Sequence, residues 1–193
     1  MTAVASTPGR SSPMYGEGRQ ALLAAAVHVV ADQGLRKLTY RAVAREANVT
    51  HGLVAHHFGS RDALLEAALQ YSVENSVTSI STRPGTGDLD ALFAGLIGMV
   101  VANPDEQAFQ YELILESRRR PELRPHVESL YGTYRQALRE ELAHGGIDCD
   151  EAMAQLFIAA ADGLIFQQVT LDRPELNEAA LAHLRRFLRS LAE

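Results

Sequence analysis

An all-α fold is predicted by three features of the 193-residue sequence. Leu and Ala dominate a composition that is 47% apolar, Trp is absent, and β-branched runs are few. Apolar residues recur at helical period almost throughout. The breaks Asn103-Pro104, Arg120-Pro121, Gly145-Gly146 and Arg173-Pro174 cut the pattern into lengths that suit single helices, with proline placed for a first helical turn. The predicted layout is a flexible arm over residues 1–15, rich in Ser, Thr, Pro and Gly, then a small helical unit over 16–62 and a larger one over 63–193.

The first helix is predicted from about Glu17 to Gln33. Leu22, Leu23, Ala26, Val27 and Val30 make one apolar face, and Gly34 stands where a helix C-terminus needs glycine. Leu35 and Leu38 close a small core. Thr39 is a good N-cap for a second helix with Val43, Ala44 and Ala47 on its inner face. Asn48 tolerates the left-handed conformation of a helix end. Thr50 is placed to cap a third helix, whose apolar residues are Leu53, Val54 and Phe58. Two helices this short do not pay their own nucleation cost, so the first helix must buttress them. The result is a helix-turn-helix, whose second helix enters the major groove of DNA.

Residues 19–65 resemble the N-terminal domain of TetR-family transcriptional regulators, through RQALLAAAVHVVADQGLRKLTYRAVAREANV and then THGLVAHHFGSRDALL. The family's usual Ala-Gly-Val-Ser turn reads Ala47-Asn48-Val49-Thr50 here. Its Tyr-Tyr-His-Phe helix end reads Ala55-His56-His57-Phe58, and Gly59-Ser60-Arg61-Asp62 follows. The resemblance implies that Thr39 and Arg41 bond a phosphate, and that Thr50, His51 and Gly52 open the recognition helix on base edges or backbone. His51 is the candidate for a guanine acceptor and Leu53 for a thymine methyl. His56 is placed to stack on sugar or bond a phosphate. His57 is placed to bond a phosphate or support the turn, and Arg61 to meet the DNA backbone. Ala55 stands where the family has tyrosine, which removes one aromatic contact. No metal is expected on His51, His56 and His57, whose spacing is neither i, i+3 nor i, i+4.

Charge agrees with this placement. The formal sum is −6, yet residues 1–61 carry +4 and residues 62–193 carry −10. Screening makes attraction to phosphate local, so the split matters more than the sum. A single cysteine excludes an internal disulfide and suits a reducing cytoplasm. No signal peptide and no wholly apolar segment of spanning length is expected, so neither is a membrane partner.

The fourth helix is predicted from Ser60 to about Ser79, long enough to reach both units. By the resemblance it transmits a change between them. STRPGTGD, residues 81–88, breaks the chain. Five helical stretches follow, over about 88–102, 104–118, 121–144, 149–171 and 174–191. The last two offer a homodimer surface. Leu156, Ala160, Gly163 and Gln167 form one stripe, and Leu184, Phe187 and Leu188 belong to the broad face of the other. Burial of both against the domain's own core is the competing reading. A pocket for a small-molecule effector is implied by the resemblance, with Phe93, Met99, Phe109, Tyr111, Met153, Phe157 and Phe166 as lining or as ordinary core. Asp162, the carboxylate in the apolar run AAADGLIF, is placed to orient a polar or cationic ligand, to pair across the dimer, or to face solvent. The run Arg118-Arg119-Arg120 suits a helix C-terminus and is also a candidate anion site.

These features point to a ligand-responsive repressor that binds a palindromic, double-stranded operator as a dimer, without a cofactor. A helical adaptor for another protein would leave the histidine-rich helix unexplained. A small enzyme has little support, since Cys149 sits between Asp148 and Asp150, whose charges oppose a thiolate.

Overall fold

The computed structural model describes residues 15–78 and 80–191 and is helical in nearly every element. The order is α1 (Tyr15–Gln33), α2 (Tyr40–Glu46), α3 (His51–Phe58), α4 (Arg61–Val77), α5 (Leu96–Ala102), α6 (Pro104–Ser117), α7 (Arg124–His144), α8 (Glu151–Leu171) and α9 (Pro174–Arg189), with short 3-10 turns at Leu35–Lys37 and Pro121–Leu123. The arm expected over 1–15 lies outside the described residues except for Tyr15, which opens α1.

From Leu22 to Val30, α1 is buried at all but Ala24 and His28. It packs against α2 and α4 on one side and, most extensively, against α6 on the other. A helix held on two sides needs apolar residues beyond a single stripe. One hydrophobic cluster therefore joins Leu22, Val30, Leu38, Val43, Val54, Phe58 and Leu64 to Phe109 and Leu113 of α6 and Leu130 of α7. A second cluster, built on Phe93, Leu96, Leu138, Leu142, Phe157, Ile158, Leu181 and Leu188, holds α5 and α7–α9 together.

The helix expected over 88–102 begins only at Leu96. Residues 80–95 instead form a loop folded back on itself, with an antiparallel bridge between Ser81 and Leu92. Phe93 N–H donates to the Ile80 carbonyl at 2.7 Å, and Thr82 N–H to the Ala91 carbonyl at 3.1 Å. The backbone turns through positive φ at Phe93 (55°) and Gly95 (77°), which no helix allows. The apolar signal of Ala91, Leu92 and Phe93 was that of a buried loop, since all three lie inside. The Glu141 carboxylate on α7 accepts a hydrogen bond from Gly85 N–H, and Arg83 pairs with Asp88 at 2.7 Å.

The other helices start and stop within a few residues of expectation. Asp150 caps α8 by accepting from Met153 N–H at 2.7 Å, while prolines open α6 and α9. The turn from α8 to α9 is fixed by a polar chain running from the interior to the surface, in which Asn177 donates to Gln168 and Gln168 donates to Asp172, each at 2.9 Å. By length and composition alone α8 is apolar enough to cross a bilayer, although Glu151 and Asp162 interrupt it, so it is not the wholly apolar segment whose absence was expected. In the fold it packs against α5, α6, α7 and α9.

Candidate DNA-reading face and ligand cavity

The turn between α2 and α3 is a Schellman motif. Val49 N–H donates to the Ala44 carbonyl at 2.8 Å and Asn48 N–H to the Arg45 carbonyl at 3.2 Å, with Asn48 at φ 54°. Thr39 Oγ1 accepts from Ala42 N–H at 3.1 Å and so caps α2. Thr50 is extended ahead of α3, but its hydroxyl makes no capping bond, a correction to the expected cap. Val54 and Phe58 anchor α3 inward, and the Arg19 guanidinium lies 5.5 Å from the centre of the Phe58 ring. Thr50, His51, Gly52, Leu53 and His56 are exposed, as are Thr39 and Arg41 on α2 and its cap. A Cβ added at Gly52 would meet nothing within 4 Å, so the side chain is missing from an open surface. His57 is half-buried, its ring 5.9 Å from that of His56 and 6.2 Å from that of Phe58.

Arg61 departs from the expected role of a surface cation. Its Nε donates to the Leu38 carbonyl at 2.8 Å and Nη2 to the Leu35 carbonyl at 3.0 Å. Leu35 opens the 3-10 turn and Leu38 follows it, so the guanidinium ties the start of α4 to the turn between α1 and α2. Arg36, by contrast, reaches the buried Glu116 of α6 at 3.3 Å, and Arg119 pairs with the same carboxylate at 2.7 Å. The Arg119 hydrogen bond, then that of Arg36, holds the Glu116 carboxyl below its ordinary range. Arg119 and Arg120 are thus paired with Glu116 and Glu122, which takes two of the three cations away from a candidate anion site.

In the larger unit a cavity of about 40 Å³, measured as the space open to the centre of a water molecule, lies between α4, α5, α6, α7 and α8. Phe93, Met99 and Asp162 line it as expected for pocket residues. Five other expected positions do not, among them Tyr111, which reaches the wall only through its hydrogen bonds to Asp162. Phe109 is fully buried in the cluster shared with α1, Met153 and Phe157 pack in the second cluster, and Phe166 is exposed on the outer side of α8. The Phe166 ring meets Tyr111 edge-on at 5.1 Å. Tyr111 donates to Asp162 Oδ1 at 2.9 Å, and Tyr131 donates to Oδ2 at 3.1 Å. Burial raises the Asp162 carboxyl above its ordinary range, and the two phenols pull it back.

Polar residues that the sequence reading passed over complete the wall: Ser76, Gln107, Gln110, Tyr131 and Tyr134. Gln110 donates to Ser76 Oγ at 3.0 Å, Tyr134 donates to Gln110 Oε1 at 3.0 Å, and the Ser76 and Tyr134 hydroxyls are 2.8 Å apart. Burial pushes the Tyr134 hydroxyl up to about 12. The available signal was two amides, Gln107 and Gln110, at helical spacing in a helix with a buried face.

On the outer side of α8 and α9, Leu156 (61% exposed), Phe166, Leu171, Leu176 and Phe187 (53%) stand in solvent. Gly163 and Gln167 are exposed beside them, and Ala160 and Leu184 are half-buried. Leu188 faces the other way and is fully buried in the second cluster, so it leaves the expected dimer face.

An exposed helix on a Schellman turn, backed by a three-helix core and followed by a helical unit with a cavity, defines a helix-turn-helix DNA-binding transcriptional regulator. Comparison with known proteins places it more closely. The pattern of the bacterial regulatory proteins of the tetR family matches residues 22–68, and that of the tetracyclin repressor-like C-terminal domain matches residues 84–192. The chain belongs to the TetR family and is a regulator rather than an enzyme. A TetR-family member from Streptomyces coelicolor A3 is 30% identical, with a TM-score of 0.68, over 91% of this chain and 98% of the other. The multidrug binding protein EbrR, solved in complex with ethidium, is 29% identical with a TM-score of 0.63 over 90% and 98%. The HTH-type transcriptional regulator BetI of Burkholderia mallei is 35% identical over 88 residues, which span 46% of this chain and 45% of that regulator.

Proposed function

We propose that this regulator is a cytoplasmic repressor that binds a palindromic operator as a homodimer and leaves it when a small molecule fills the cavity. The observation that carries this reading is Ser76. It lies at the end of α4, whose first turn follows the reading helix, and it is hydrogen-bonded into the cavity wall through Gln110 and Tyr134. A ligand that rearranges those side chains acts on α4 directly. It shifts the DNA-binding equilibrium only to the extent that it favours one arrangement over the other. That EbrR binds ethidium supports a ligand role for the equivalent unit here.

Thr39, Arg41, Thr50, His51, Gly52, Leu53, His56 and His57 make up the proposed DNA surface, with residues 16–62 as the reading domain and 63–193 as the effector and dimer domain. Arg61 supports this surface from behind. The open apolar residues of α8 and α9 favour a four-helix dimer contact that sets two readers about 34–36 Å apart or at a similar multiple. Selection of random duplexes on the purified protein tests the reading and is expected to return a palindrome. Return of no enriched sequence, or a shift assay whose affinity is flat with salt, rejects it.

A further inference from the structure

We propose that the cavity recognises an organic cation, held by the Asp162 carboxylate in a cradle of the Tyr111 and Tyr131 phenols, and that Gln107 donates a hydrogen bond to an acceptor on the same ligand. The proposal rests on the reading of this cavity as the effector site. Asp162 is half-buried, yet among the described residues no Lys, Arg or His forms an ion pair with it. Its two oxygens accept only from neutral phenols. A carboxylate withdrawn from water keeps unspent attraction for a positive charge, and a charge-assisted contact in such a place is stronger than a neutral one.

The rest of the wall suits the body of such a ligand. Phe93, Tyr131 and Tyr134 offer aromatic surface, which favours cations over neutral molecules of the same shape. Ile80, Leu96, Ile158 and Ile165 supply apolar contact. Met99, unbranched and adaptable, lines the same space from α5. The independent observation is Gln107. It is 4% exposed, it lines the cavity, and among the described residues its Nε2 has no hydrogen-bond partner. A buried donor without a partner is costly, and a ligand acceptor relieves that cost.

The test uses 6-methoxy-1-methylquinolinium, a permanent flat cation with one ether acceptor, against 6-methoxyquinoline, which is neutral near pH 7. Calorimetric titration of the full-length protein is expected to show the cation binding at least ~10-fold more tightly than its neutral counterpart. Asp162→Asn, which keeps the shape and an acceptor for Tyr111, is expected to cost the cation ~10-fold and the neutral compound less than ~3-fold. Gln107→Leu is expected to weaken both compounds by a similar few-fold factor. Equal affinities in the wild type, absence of binding, or a cation affinity untouched by Asp162→Asn overturns the proposal and leaves regulation by another ligand standing. Retention of cation binding in Ala161→Phe, which fills the cavity, also overturns it. If the cation binds as expected and operator affinity does not change, the regulatory reading of the cavity fails while the cation site stands.

Discussion

His28 Nδ1 on α1 lies 2.6 Å from Oδ2 of Asp105, in the first turn of α6. Glu46 of α2 approaches the other ring nitrogen at 3.8 Å, so one imidazole touches three helices. At the far end of α6, Glu116 holds Arg36. The helix that carries Gln107 and Gln110 into the cavity is thereby fastened to the helix-turn-helix unit at both ends.

The His28 contact gives stability a pH dependence of definite sign. The Asp105 hydrogen bond raises the imidazole above its ordinary value of 6.5, with the charges of Asp105, Glu46 and Asp32 adding to it and burial opposing. A group whose folded value is raised stabilises fully below its unfolded value, and that contribution is lost as pH rises through the folded value. Urea midpoints of the wild type are expected to fall as pH climbs upward from about 6.5. His28→Gln, which does not titrate, removes that part of the slope. An unchanged slope in the variant contradicts the assignment.

Arg61 is expected to matter for folding first and for DNA second. Arg61→Ala leaves the carbonyls of Leu35 and Leu38 without their cationic donor, at a cost of about 1–3 kcal/mol in urea unfolding. Because the loss loosens the whole reader, operator and random duplex are expected to weaken alike. A variant as stable as the wild type shows that the guanidinium is free to serve DNA instead.

His51→Ala is expected to leave stability unchanged, since the side chain is exposed, and to relax preference at one base pair by about 1–3 kcal/mol. Competition assays across single-base operator variants read this directly. A uniform loss over all positions assigns His51 to phosphate rather than to a base edge.

Gly87 is the loop position least open to change. Its φ is 66°, and a Cβ there falls 2.3 Å from the His144 carbonyl carbon and 2.4 Å from Gly145 N. Both contacts are to backbone at the end of α7, which has no side chain to move aside. Gly87→Ala is expected to cost about 2 kcal/mol or more in denaturant unfolding. By contrast, nothing lies within 4 Å of a Cβ at Gly85, where only the backbone penalty applies.

Phe187→Asp and Leu156→Asp place charge on open apolar positions of α9 and α8. Both are expected to leave the monomer fold intact and to convert a dimer to monomers in light scattering, with operator affinity lost and single-site binding kept. A dimer that survives both substitutions assigns its contact to another face.

Much of the fold was legible because capping and turn residues act locally. Thr39, Asn48, Gly59, Asp150 and the helix-opening prolines each fix a boundary through neighbours a few residues away. The loop over 80–95 was not legible, because Leu89, Leu92, Phe93 and Leu96 recur at i, i+3, i+4 and i+7 as on a helix face, and only contacts with α7 and α9 choose between the two. The helix-turn-helix was legible from its match to a known pattern. The cavity was not, since Phe109 and Phe157 look no different from Phe93 until the helices meet. Asp162 stood out by its apolar context, but Ser76, Gln110 and Tyr134 gained meaning only from one another.

The hydrophobic cluster that runs from Val54 through α1 to Phe109, Leu113 and Leu130 has a consequence for anyone cutting or grafting this chain. A fragment ending after α4 would expose the α1 side that faces α6 and would lack the anchors that stiffen it. Exchanging sensor halves with a relative would transplant half of a shared interior. Such hybrids are expected to work only when the α6-facing residues of α1 travel with their new neighbour.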